Sequence, residues 1–223
     1  MTETSRTFQD RHEAGQVLAD DLMAYRGRQH LLVLGLARGG VPIGWEVAHA
    51  LHAPLDVCLV RKLGAPGRSE LAMGALASGG GMVFNTTLLR ALGVTDDQVD
   101  EAIARETTEL HRREDAYRGD RGPLSVTGQT VILVDDGIAT GASMLAAARS
   151  VRQAGAAQVI VGVPVGPAAV CRELARAADD VVCSTAPADF HAVGQVYVDF
   201  HQVGDDEVRR LLATPTQGSA PPR

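Results

Sequence analysis

At 223 residues, 45 % of them hydrophobic and 22 % charged, the chain is sized for one domain with an elaboration and can bury a substantial core. Its net charge of −6 and aromatic share of 4 % exclude a general electrostatic grip on nucleic acid and an aromatic platform for single strands. Three widely spaced cysteines, Cys58, Cys171 and Cys183, form no C-x-x-C pair, so neither a zinc site nor a disulfide framework is expected. The polar start, Met1 to Asp10, and the lack of any apolar run of spanning length give the expectation of a cytoplasmic protein with free thiols and no membrane contact.

The first periodic segment runs from Phe8 to Tyr25, where Ala14, Val17, Leu18, Leu22 and Tyr25 recur at helical spacing and Gly27 can end the helix. Leu31 to Leu36 reads as a buried strand, Ala37-Arg38-Gly39-Gly40 as a tight turn, and Val41-Pro42 opens a helix to about Leu51. Leu55 to Val60 reads as a second strand. Residues 61–81 differ: they are Gly-rich and charged at their start, and Leu71 to Leu76 could be a strand or a mobile flap. Met82 to Asn85 returns as a short strand, Thr86 to Leu92 is a helical turn or two, and Thr95-x-x-Gln98 is a capping box for a long, largely exposed helix to about Tyr117. Residues 86–121 therefore look like a helical insertion. Regular alternation resumes with a strand at 130–134, a helix to Ala154, a strand at 158–163, a helix from Pro167 to about Ala178 and a last core strand from Val181 to Ser184. Alternation of this kind predicts an α/β fold with a mostly parallel central sheet flanked by helices and ligands at the carboxyl ends of its strands. Residues 1–213 are read as one domain and 214–223, rich in Pro, Gly and Ser, as a disordered tail.

The chemistry concentrates in Val131-Ile-Leu-Val-Asp-Asp-Gly-Ile-Ala-Thr-Gly-Ala-Ser143. An aliphatic strand delivers two adjacent carboxylates, Asp135 and Asp136, and a Gly/Thr turn then runs into an Ala-rich helix. Backbone N–H groups of Gly137, Ile138, Ala139, Thr140 and Gly141 can converge on an anion there, where the helix macrodipole favours negative charge. A phosphate alone would not want the two aspartates; a ribose with free hydroxyls or a hydrated Mg²⁺ would. The segment lacks the Lys of a P-loop and the G-x-G-x-x-G of a dinucleotide fold.

This string closely resembles the phosphoribosyl pyrophosphate signature of type I phosphoribosyltransferases. With Ala37-Arg-Gly-Gly-Val-Pro42, Val60-Arg-Lys-Leu-Gly-Ala-Pro66 and Val198-Asp-Phe200, the chain is similar over about 10–212 to the predicted phosphoribosyltransferases of that family. The resemblance implies that family's fold, with a flap and a helical hood, and transfer of phosphoribosyl from phosphoribosyl pyrophosphate to a nitrogenous, nucleobase-like acceptor with release of pyrophosphate. It implies Mg²⁺ as cofactor, held by Asp135 and Asp136 indirectly through water and substrate. Those two carboxylates would hold the ribose hydroxyls, and Thr140 with the amides of residues 137–141 would hold the 5′-phosphate. Arg38, Gly39 and Gly40 fall on the pyrophosphate loop, where a cis peptide is expected at Ala37–Arg38. Arg61 and Lys62 fall where basic residues neutralise the leaving group, with the flap behind them at 63–81.

Base recognition falls to residues 185–212, with Phe190 and Tyr197 available to flank a ring, while the helices at 86–121 could form the rest of a hood or a contact in a homodimer. No base-reading signature identifies the acceptor. Bland alternatives stand beside these roles: a plain turn at 37–40, a solvated cation pair at 61–62, and packing by Phe190 and Tyr197. A non-catalytic sensor of phosphoribosyl pyrophosphate or nucleotide, and a hydrolase sending water to the same carbon, are rival uses of the pocket. Nucleic acid is not an expected partner.

Overall fold

The computed structural model describes residues 6–119, 121 and 124–216, without the side chains of residues 69 and 70. In chain order the elements are α1 (Arg11–Asp21), β1 (Leu31–Leu36), α2 (Gly40–Leu51), β2 (Leu55–Cys58), β3 (Val60–Ala65), β4 (Arg68–Ala77), β5 (Met82–Phe84), α3 (Thr86–Leu92) and α4 (Asp96–Arg118). They continue with β6 (Thr130–Val134), α5 (Ala142–Gln153), β7 (Gln158–Val165), α6 (Ala168–Leu174), β8 (Asp180–Thr185) and α7 (Asp205–Ala213). Single 3-10 turns follow α1 and precede the 197–201 segment.

The aliphatic runs build one parallel sheet in the order β2-β1-β6-β7-β8. Successive residues face opposite sides, so Val33 and Ile132 join one apolar cluster with α1 and α2, whereas Leu32, Leu34 and Leu133 join a second with α5 and α6. After β2 is laid on one side of β1, the next strand of this sheet, β6, is laid on the other. The crevice at the carboxyl ends of β1 and β6 is therefore the topological switch point, where an open α/β sheet receives ligands. Among the described residues no helix is long and apolar enough to cross a membrane.

Three expectations change in detail, and one open alternative is decided. The run Leu55 to Val60 is not one strand: the Leu59 N–H donates to Ser78 Oγ (2.9 Å) and Leu59 O accepts from the Ser78 N–H (2.8 Å), which redirects the chain into β3. Of the two alternatives for the Gly-rich stretch behind it, the strand holds: Leu71 to Leu76 lie within β4 of an antiparallel sheet, β3-β4-β5, with its register shifted around Gly64. The first helix starts at Arg11 rather than Phe8, because Asp10 caps it by accepting from the Glu13 N–H (2.9 Å), while Phe8 pairs with Tyr197 instead. The helix expected to reach about Ala178, α6, stops at Leu174.

α7 was not expected, although Asp205, Asp206 and Glu207 in its first turn and the buried Val208 and Leu212 give it a legible start and face. Beyond it, Thr216 is buried and its hydroxyl donates to Ala53 O (2.6 Å); the rest of the expected tail, 217–223, lies outside the described residues. The capping box at Thr95 and Gln98 is present, and α4 is anchored by buried Ala102, Leu110 and Tyr117 and by an Arg118–Asp56 ion pair of 2.9 Å.

Ser150 joins α5 to the small sheet by hydrogen bonds. Ser150 Oγ donates to Ser78 O (2.7 Å) and accepts from the Gly81 N–H (3.0 Å), and a Cβ at position 81 would stand 2.1 Å from Ser150 Cα. Only glycine fits that approach. Ser150→Ala leaves a buried carbonyl and a buried N–H without that partner and is expected to cost about 1–3 kcal/mol. Urea unfolding checks this; a loss below about 0.5 kcal/mol would mean the hydroxyl carries no part of the junction.

Candidate functional site

Two turns meet at the switch point. The first, Ala37–Gly40, contains a cis peptide at Ala37–Arg38, and Gly40 opens α2 directly from it. The second begins with Asp135 and Asp136 at the end of β6 and runs to Gly141, whose φ of +72° starts α5. The turns touch: a Cβ at position 39 would lie 2.1 Å from Asp136 Oδ2, so Gly39 is required for the carboxylate to rest against that backbone.

Asp135 and Asp136 are adjacent and poorly hydrated. Burial, together with the neighbouring Asp136 charge, pushes Asp135 well above the usual carboxylate range. Burial also raises Asp136, opposed by Arg11. Arg11 Nε and Nη2 both lie 2.8 Å from Asp136 Oδ2, and its Nη1 donates to His201 O at 2.7 Å. The Asp136 N–H donates to Asp135 Oδ1 (2.9 Å), and the Asp136 carbonyl accepts from the Tyr197 hydroxyl (2.6 Å). Among the described residues no group of three or more His, Cys, Asp or Glu is placed to hold a metal ion.

In the second turn, Ala139 and Thr140 are exposed at the N-terminal end of α5, and Thr140 Oγ1 accepts from the Ala142 N–H at 3.4 Å. Gly137 is buried beneath Val165 and Val193. Ile138 departs from its expected use, because its N–H donates to Val165 O (2.9 Å) and its side chain is buried. The N–H groups of Ala139, Thr140 and Gly141 meet no acceptor among the described residues, which leaves them and the helix dipole to an anion.

The expected cations are turned elsewhere. Arg38, 36 % exposed, lies 3.5 Å from Asp205, which also accepts from the Tyr117 hydroxyl (2.6 Å). Together with Arg112, Arg113 and Arg209 these residues line a cavity of about 190 Å³ beside the first turn. Arg61 Nε and Nη2 reach Glu106 Oε2 at 3.0 and 2.7 Å, tying β3 to α4 instead of projecting into solvent. Lys62, the next residue of β3, is exposed and belongs to the opposite face of that strand.

Both candidate base-stacking rings pack the molecule. Tyr197 is 7 % exposed, lies 5.7 Å from the Phe8 ring and 4.9 Å from Phe200, and spends its hydroxyl on Asp136; Phe190 is partly buried against the larger core cluster. The Tyr197 ring is used by protein, whereas Phe190 keeps part of its surface exposed. Arg11 was the residue missed. Its signal was its place: a cation in the first turn of a helix opposes the macrodipole, and such a position calls for a compensating anion. Cys58, buried, has its thiol pushed up to about 12 by desolvation and is no nucleophile.

The raised Asp135 has a consequence for stability. A carboxyl whose folded pKa lies above its unfolded value, about 3.9, holds its proton more tightly when folded, so its stabilising share is full at low pH and is lost as pH rises through the folded value. Asp135→Asn keeps the oxygen that accepts the Asp136 N–H and removes the buried charge. It is expected to raise Tm at pH 8 and to leave it nearly unchanged at pH 4. Thermal unfolding across that range checks this; an equal shift at both ends would show that the charge is not penalised.

Comparison with known proteins bears on the family and the fold. The model of the phosphoribosyl transferase domain matches residues 10–201. Two relatives from Mycobacterium tuberculosis, named "Putative phosphoribosyl transferase MT0597" (strain CDC 1551 / Oshkosh) and "Putative phosphoribosyl transferase Rv0571c" (strain H37Rv), are each 44 % identical over 207 residues. Those alignments cover 93 % of this chain but 46 % of each relative, so the chain spans about half their length. The crystal structure of TT1426 from Thermus thermophilus superposes with a TM-score of 0.79 at 43 % identity, over 92 % of this chain and 97 % of that one. The chain belongs to the phosphoribosyl transferase domain family.

Proposed function

We propose that the chain moves the phosphoribosyl group of phosphoribosyl pyrophosphate to a nitrogenous, nucleobase-like acceptor, releasing pyrophosphate. The observation that carries this reading is the contact at the switch point, where the turn after β1, through Gly39, rests on Asp136 beside a Gly/Thr turn at a helix N-terminus. The amides of Ala139, Thr140 and Gly141 would bind the 5′-phosphate. The carboxylates of Asp135 and Asp136 would accept hydrogen bonds from the ribose hydroxyls, and the turn at Arg38, Gly39 and Gly40 would receive the diphosphate. Arg61 and Lys62 border this end from β3; Arg61 reaches the diphosphate only by leaving Glu106.

Two hard oxygen ligands, both raised by burial, suit a Mg²⁺ ion that arrives on the substrate's phosphates, and their charge is what a dication would relieve. That ion, when bound, supplies charge neutralisation for the departing pyrophosphate. The C1′–N bond forms as the C1′–O bond to pyrophosphate breaks, its electron pair leaving on oxygen and the configuration inverting. The carboxylates hold the sugar while positive charge develops on the ring, so positioning and electrostatics carry the catalysis. Tyr197 is buried and its hydroxyl is bound to Asp136, so of the two rings Phe190, partly buried, is the one open to flank an acceptor.

Calorimetric titration with phosphoribosyl pyrophosphate, with and without Mg²⁺, tests the donor site. Saturable Mg²⁺-dependent binding is expected. The Asp135→Asn, Asp136→Asn double variant should bind at least roughly a hundredfold more weakly, since each charged hydrogen bond contributes about 1.5–3 kcal/mol. No binding by the native chain would overturn the reading. Binding without pyrophosphate release in a broad acceptor screen would favour the sensor.

A further inference from the structure

Asp136 is held by a closed circuit of contacts that begins and ends on it. Its Oδ2 takes both Nε and Nη2 of Arg11 at 2.8 Å. The Arg11 guanidinium lies 4.1 Å from the centroid of the Phe200 ring, Phe200 stacks on Tyr197 at 4.9 Å, and the Tyr197 hydroxyl returns to the Asp136 carbonyl at 2.6 Å. The third Arg11 contact, to His201 O at 2.7 Å, fixes the guanidinium to the same segment. Backbone bonds secure that segment in turn: Phe8 donates to Val196 O (2.7 Å), Val198 to Phe8 O (2.9 Å) and Asp199 to Gln9 O (2.9 Å). The Arg11 side chain is 9 % exposed and that of Asp136 14 %, so the pair interacts with little screening by water.

The geometry on the carboxylate is one-sided. Both guanidinium donors converge on Oδ2, and among the described residues no hydrogen bond reaches Oδ1, so that oxygen can accept from a ligand. A fork across both oxygens would have taken one lone pair of each; this arrangement leaves Oδ1 without a guanidinium contact and orients the group. We propose that Arg11 is the positioning residue of the sugar subsite: it locks Oδ2 of Asp136 so that Oδ1 receives one hydroxyl of the ribose. This rests on the donor reading above and deepens it, because it assigns hydroxyl selectivity to a residue from the N-terminal helix. Three contacts at distinct angles and a stacked face make the role one for arginine, whose planar fork lysine does not reproduce.

The test compares sugars of equal charge, so a general electrostatic or structural effect cancels. Binding of ribose 5-phosphate, 2-deoxyribose 5-phosphate and 3-deoxyribose 5-phosphate is measured by calorimetry in Mg²⁺ buffer for the native chain, Arg11→Gln and Arg11→Lys, with thermal unfolding of each. The native chain is expected to prefer ribose 5-phosphate over one of the deoxy sugars by about tenfold or more, the loss of one hydrogen bond to a charged group. In Arg11→Gln that ratio should fall below about threefold, and in Arg11→Lys it should be intermediate. A native ratio in a folded Arg11→Gln overturns the proposal; should Arg11→Gln not fold, a native ratio in Arg11→Lys overturns it. A native chain that does not discriminate among the three sugars overturns the underlying assignment of ribose to these carboxylates, a result separate from any effect of Arg11.

Discussion

Two carboxylates on consecutive residues, both drawn out of water, set the terms for everything around them. Left alone, such a pair would protonate or push the chain apart. Here the strand-end position makes the juxtaposition unavoidable, because β6 must end where Asp135 and Asp136 begin, and the neighbouring turn from β1 comes so close that position 39 has no room for a side chain. One cation is brought to one member of the pair. The other has, among the described residues, the Asp136 N–H as its hydrogen-bond donor, and its burial is a standing cost that a ligand can offset. An unrelieved charge in an otherwise well-packed sheet is a reason to read this crevice as functional.

Much of this was legible in the chain. Aliphatic runs separated by helical periodicity predicted the parallel sheet, and the Asp-Asp and Gly/Thr string singled out a strand end that the topology puts at the switch point. These features are local, fixed by residues within a few positions of one another. The cis peptide was readable only through resemblance, since nothing in Ala37-Arg38 itself favours that isomer. What escaped depends on contacts distant in sequence. Leu59 leaves its strand because Ser78 offers both a hydroxyl and an amide; no pattern between 55 and 60 encodes that. Glycine abundance suggested mobility in the segment after Arg61, yet Gly81 is there so that the chain can press against Ser150.

The aromatic residues teach the same lesson in reverse. Phe190 and Tyr197 follow the last core strand, where a ring could face a base, and sequence position alone cannot separate that use from packing. Tyr197 is decided by its hydroxyl, which is bound to the Asp136 carbonyl, and by rings on either side. It supports the acid pair from beneath. Arg61 is similar: a cation at a strand end invites an anionic ligand, but Glu106 on α4 had claimed it, joining the small sheet to the helical insertion.

The pairing of residues 8 and 9 with 196–199 bears on how the molecule comes into being. The central strands can associate as each emerges from synthesis, because β1, β2, β6 and β7 are all made before position 166. The brace around Asp136 cannot. Arg11 waits through 190 residues for the carbonyl of His201, a long loop whose closure entropy must be offset before any of these contacts exists. The sheet thus precedes its own acidic crevice in time, and a nascent chain carries the two aspartates without their brace until nearly the whole domain has been made.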